Sequence, residues 1–200
     1  MSDVTPFSER ARTTMRGELL EAAADLIAAR GFRGLRMADV ATRAGVSRQT
    51  VYNEFGNKEG LAQAVALHRA AEFIDGVDSR LSAASEPFEG MRSAIDYTLD
   101  HAAKDRLISS MLTGEDAEDL LPFLTTRGQP VLIPATEVVS RHVRRNWPRL
   151  PPEQVSLFAE ATVRLTLSHL LMPSGDRDHA VDAVVGVARA ALPPLDPTKE

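Results

Sequence analysis

Arg48, Gln49, Tyr52 and Asn53 recur at the spacing that puts residues on one face of a helix, with Thr50 at its flank. Their groups suit the edges of nucleic-acid bases. An arginine fork matches guanine or a phosphate, and a glutamine amide pairs with adenine. Thr50 offers a hydroxyl to a base or phosphate and a methyl to thymine. Tyr52 and Asn53 can grip phosphate oxygens, which fix register without reading sequence. Lys58 follows in the first turn of the next helix, where a cation opposes the helix dipole unless a phosphate lies close by. The chemistry is recognition of duplex DNA. A solvated polar face on an ordinary helix pair would carry the same residues.

The neighbouring residues supply the elements that would position this face. Met37, Val40, Ala41 and Ala44 form an apolar stripe, predicting a short helix. Gly45 interrupts it as a residue free to adopt positive φ. Val46 plugs the turn, and Ser47 is suited to cap the next helix. That second helix turns Val51 and Phe55 inward, with Thr50 beside them. Two short helices around a glycine-containing turn make a helix-turn-helix, whose second helix can enter a major groove.

The run Gly31-Phe32, Met37-Ala38-Asp39-Val40-Ala41, Ala44-Gly45-Val46-Ser47, Thr50-Val51-Tyr52 and Phe55-Gly56-Asn57-Lys58-Glu59-Gly60-Leu61 resembles the amino-terminal domain of TetR-family transcriptional regulators. The likeness is gapless from about Met15 to Leu67, and beyond it extends only to length and helical character. It implies an all-α homodimer that binds a pseudo-palindromic operator and is released by a small molecule. Ser47, Arg48, Gln49, Thr50, Tyr52, Asn53 and Lys58 fall where that family contacts DNA. Arg36 occupies a position where the family usually has a Ser or Thr cap; with Met37 it is counted among the DNA-facing positions, as a replacement phosphate contact. Glu54 stands where the family often has His or an aromatic, and is expected to point away from phosphate. The wording from Ser47 to Gly56 is also similar to actinobacterial members linked to alkane or fatty-acid metabolism.

The remainder of the chain is compatible with this reading. Two hundred residues, 44% hydrophobic with few aromatics, suit a helical protein with a small domain joined to a larger one. The expected division is 10–60 for DNA binding and 61–200 for ligand binding and dimerisation. Cysteine is absent, which fits a reducing compartment, and neither a transmembrane run nor a signal segment is evident. A cytoplasmic, nucleoid-associated location without membrane contact is expected. The net charge of −5 is unevenly spread. Residues 1 to 60 carry nine Lys and Arg against eight Asp and Glu, and the rest carry fourteen against twenty. A slight local excess implies modest, salt-dependent nonspecific affinity.

The first residues, to about Glu9, read as a tail. Arg10, Arg12 and Arg16 are either a DNA-reaching arm or a solvated run. Thr13 to Arg30 form an amphipathic helix stopped by Gly31. Asn57 caps a long helix to about Leu81, the natural lever between ligand and DNA. After a polar loop, Pro87 opens the next helix. Proline-interrupted helices from Pro87 to Trp147, the last from about Ala135, are expected to leave a chamber. Its candidate lining is Met91, Ile95, Leu99, His101, Met111, Leu112, Phe123, Val138, His142 and Phe158. Each polar member has the alternative of being an ordinary core or surface residue. The aliphatic character points to a lipophilic effector.

Residues 152–172 and 178–192 are apolar around nearly the whole helix circumference, which requires burial on all sides. A partner about a twofold axis would cover the outer faces, with Leu157, Ala161, Leu165, Val184, Val187 and Ala191 as contacts. A purely intramolecular core is the alternative. No cofactor or metal is implied, and no enzyme signature of the HExxH, phosphate-loop or nucleophile-elbow kind occurs. The His101–Asp105 and Glu160–His169 pairs are too sparse for a metal site. A DNA-binding protein without effector remains a further reading.

Overall fold

The computed structural model describes residues 7–105 and 128–194. These form eight helical stretches, and no strand occurs among them: α1 (Phe7–Gly34), α2 (Met37–Arg43), α3 (Arg48–Phe55), α4 (Lys58–Ala83), α5 (Pro87–Lys104), α6 (Gln129–Asn146), α7 (Pro152–Leu171) and α8 (Arg177–Ala191). Helix α1 already begins at Phe7, within the stretch read as a tail. The predicted stop at Gly31 is a break in α1, with φ 71° and ψ 169°. Helix α6 starts six residues earlier than expected and runs through Pro134. That proline forfeits one ladder bond, near the helix start.

The chain packs as two compact units, and the division falls within α4, after Ala70. In the first unit, Leu19, Ala23, Leu35, Val40, Val51, Leu61 and Val65 are almost fully buried. The second has a core of its own, built on Ile74, Val77, Leu81, Met91, Val143, Val155, Ala159 and Val184. Asn57 caps α4 as expected, its Oδ1 accepting the Gly60 N–H at 2.7 Å. Glu86 does the same for α5 by accepting the Glu89 N–H at 2.8 Å. Each bond satisfies an amide that a helix start otherwise leaves orphaned. No helix among the described residues is long and apolar enough to cross a membrane.

Candidate nucleic-acid interface and effector cavity

The turn between α2 and α3 is closed by a Schellman arrangement. The Val46 N–H donates to the Ala41 carbonyl at 3.0 Å and the Gly45 N–H to that of Thr42 at 3.3 Å. Gly45 sits at φ 67°, with open space where a Cβ would be, so its backbone conformation is what calls for glycine. Ser47 then accepts the Thr50 N–H at 3.1 Å, and the two hydroxyls lie 2.8 Å apart. Val51 and Phe55 are buried, whereas Ser47, Arg48, Gln49 and Asn53 are exposed and Thr50 and Tyr52 half-buried. All six recognition residues therefore surround the open side of α3.

Within that face, side chains pair along the helix. Arg48 donates to the Tyr52 hydroxyl at 3.2 Å and lies 5.3 Å from its ring, which pushes the guanidinium pKa further up. Gln49 donates to Asn53 at 2.8 Å. These are exposed i,i+4 contacts, each worth only about 0.2–0.5 kcal/mol, so exchange for base or phosphate contacts is cheap.

Three positions at the edge of the motif behave differently from expectation. Met37 is 5% exposed, so its side chain belongs to the core and only its backbone is available to DNA. Arg36 precedes α2 with no side-chain cap bond, leaving an exposed cation beside uncapped amides. Lys58 turns its ammonium to the Arg33 carbonyl at 3.0 Å and the Phe32 ring at 4.5 Å. That carbonyl, in the last residues of α1, offsets the placing of a cation at a helix start. Arg12 and Arg16 are no free arm, since both bind Glu54 on α3.

The second unit holds a partly open apolar cavity of about 70 Å³. Met91 and Ile95 line it as expected, together with Phe73, Ile74, Val77 and Leu81 of α4 and Val139 of α6. Its polar lining is threonine. Thr98 donates to the Ala94 carbonyl at 2.8 Å and Thr166 to that of Thr162 at 2.9 Å, so both hydroxyl protons are committed to their own helices. Leu99, Val138 and Phe158 pack in the surrounding core rather than on the cavity wall. Val138 misses by one residue of helical phase, because Val139 is the neighbour that faces inward.

The two histidines are likewise structural. His142 is 3% exposed and hydrogen-bonds the Pro87 carbonyl through Nε2 at 3.1 Å. His101 stacks on Phe73 and lies tilted against Tyr97, with ring centroids 5.4 Å away in each case. Met111, Leu112 and Phe123 lie outside the described residues.

On α7 and α8 the apolar circumference divides into two faces. Leu157 is 72% and Val187 56% exposed, and Ala161 and Ala191 are also open, with Leu165 half-buried. Val184 is a correction, because at 1% exposure it belongs to the intramolecular core. Glu160 and Arg164, paired at 2.7 Å, share the open side of α7.

Residues 19–65 match the family model described as bacterial regulatory proteins, tetR family, and residues 87–190 match that of the bacterial tetracyclin repressor, C-terminal domain. The chain is also 34% identical to the HTH-type transcriptional regulator AlkX of Mycobacterium tuberculosis over 189 residues, covering 94% of this chain and 88% of that protein. It belongs to the TetR family of transcriptional regulators. The crystal structure of the TetR-family repressor AlkX from Dietzia sp., a protein implicated in biodegradation of n-alkanes, superposes with a TM-score of 0.70 at 30% identity, covering 88% of this chain and 94% of that one. The HTH-type transcriptional activator FasR of Mycolicibacterium smegmatis is 31% identical over 94 residues, 47% of this chain and 43% of that protein.

As a TetR-family member the chain is a DNA-binding regulator of transcription, not an enzyme. The family joins an amino-terminal helix-turn-helix to a carboxy-terminal helical domain. What sequence reasoning missed in this regulator is the share of the cavity wall contributed by α4. Phe73, Ile74, Val77 and Leu81 recur at i, i+1, i+4 and i+8, a signal equally that of an ordinary core stripe.

Proposed function

We propose that this regulator is a homodimeric repressor that holds a pseudo-palindromic operator on the nucleoid and is released by a lipophilic effector. The carrying observation is that the apolar cavity takes four of its wall residues from α4, the helix whose first turns give the buried Leu61 and Val65 to the unit that holds the recognition motif. A ligand that prefers a widened cavity would shift α4, and half-sites set for one spacing would then no longer fit. Ser47, Arg48, Gln49, Thr50, Tyr52 and Asn53 are the proposed DNA contacts, with Arg36 at their edge. Met91, Ile95 and the α4 residues are the proposed effector contacts. The Dietzia relative, a repressor implicated in biodegradation of n-alkanes, supports both the repressor sign and a hydrocarbon-related effector.

Footprinting on the DNA upstream of the chain's own gene, repeated with a long-chain n-alkane and with the fatty acid of equal length, tests the proposal. Protection of two half-sites that is lost on adding either compound is the expected result. Coupling must be reciprocal, so operator must weaken ligand binding by the same factor. A lipophile that stabilises the protein thermally yet leaves the footprint intact sinks the release mechanism. Transcription that rises with bound protein reverses the sign to activation.

A further inference from the structure

Glu54 is the penultimate residue of the recognition helix, and its carboxylate is shared by two arginines. Arg12 of α1 donates to it through two guanidinium nitrogens, at 3.0 and 3.3 Å, and Arg16 donates to the other oxygen. The Arg16 guanidinium also lies 4.9 Å from the Phe55 ring. Glu54 itself is only 9% exposed, whereas the Arg12 side chain is 70% and the Arg16 side chain 42% exposed. Burial pushes the Glu54 carboxyl up, but the bonds from Arg16 and Arg12 outweigh it and hold it below its ordinary value.

The cluster thus ties the start of α1 to the flank of α3. Two guanidiniums carry ten proton-bearing positions between two planar forks, and one carboxylate cannot use them all. One unit of positive charge is left over, on outward-facing side chains. The leftover charge stands beside the recognition face, on the side of the helix that Thr50 and Glu54 share, about 100° round from Gln49 and Asn53. A groove that receives α3 has a phosphate strand along each wall.

We propose that Arg12, Glu54 and Arg16 form a second, sequence-independent phosphate clamp, in which Glu54 is a positioning residue that holds both arginines against α3 and trims their joint charge to take one DNA phosphate. The inference rests on the chain's DNA-binding function and adds contacts outside the recognition face. Charge bookkeeping makes it testable, because each neutralised phosphate contributes about 0.9 to the slope of log affinity against log salt.

The experiment measures binding of the full-length dimer to a short labelled duplex of random sequence by fluorescence anisotropy across a salt series. Values are expressed per protomer, alongside melting temperatures. Arg12→Gln should lower the slope by about 0.9, and Glu54→Gln should raise it by about the same amount while tightening binding. The Arg12→Gln/Glu54→Gln double variant should return it to the wild-type value. A merely structural tie would shift melting temperature and leave all slopes equal, and that result overturns the clamp. If Glu54→Gln fails to fold, an unchanged slope in the exposed Arg12→Gln variant overturns it equally. Wild-type protein with no salt-dependent duplex binding would instead sink the DNA-binding reading.

Discussion

Gly60, in the first turn of α4, packs against the backbone carbonyl of Phe55, the last residue of α3. A Cβ at Gly60 would fall well inside contact with that oxygen and 3.2 Å from Asn57 Oδ1. The obstacle is backbone, which cannot rotate aside as a side-chain tip can. Glycine here sets how closely the recognition helix approaches the helix that follows it.

Gly60→Ala should therefore prise α3 from α4. Overpacking of this kind costs about 1–3 kcal/mol. The expected outcome is a lower melting temperature together with weakened binding to every duplex, because α3 shifts as a whole. Thermal unfolding and anisotropy on the same sample check it. A variant as stable as wild type would show that the turn relaxes without cost.

Gln49 and Tyr52 lie on one face but should fail differently. Gln49→Ala removes an amide suited to a base edge and should cost about 1–3 kcal/mol of discrimination between operator and scrambled DNA. Tyr52→Phe removes a hydroxyl suited to phosphate and should weaken both duplexes alike. The free-state partners, Asn53 and Arg48, are exposed and rehydrate easily, so stability should barely change. Equal loss on both duplexes for Gln49→Ala refutes that residue's reading role.

The motif was legible in the sequence because it is local. Gly45, Ser47 and Asn57 each announce one backbone event, and the structure places all three events where the residues stand. Pairings distant along the chain were not. Nothing near Glu54 reveals that Arg12, 42 positions away, shares its carboxylate. Helical phase explains the cavity errors. Val138 and Val139 are both apolar, and only packing decides which one faces the space. His142 looked like a ligand-orienting group by type, whereas the Pro87 carbonyl already engages it.

The outward faces of α7 and α8 make a prediction of their own. Val187 is too exposed to be an intramolecular core residue, and its neighbours Ala183, Gly186 and Ala190 are small enough for close helix approach. Val187→Glu should leave the monomer's helicity intact and abolish association, because two like charges would meet near a twofold axis. Light scattering at micromolar concentration distinguishes the states. A variant that remains dimeric would move the interface elsewhere.

His142 gives stability a defined pH dependence. Burial is the main cause of its lowered pKa; Arg145 assists, and together they outweigh the carbonyls of Pro87 and Leu81 and the carboxylate of Asp78. Its Nδ1 is buried with no hydrogen-bond partner among the described residues. The unfolded chain therefore takes up this proton more readily than the folded one. Below the ordinary value of 6.5, the unfolded state binds more protons, so the stability present above that pH falls as pH drops towards the folded-state value. The slope from this one group can reach at most about 1.4 kcal/mol per pH unit. His142→Gln keeps a donor for Pro87 and cannot titrate, so its stability should change less steeply between neutral and mildly acidic pH. Denaturant midpoints for both proteins across that window decide the matter. Parallel curves would mean that His142 protonates in place without opening the contact between α5 and α6.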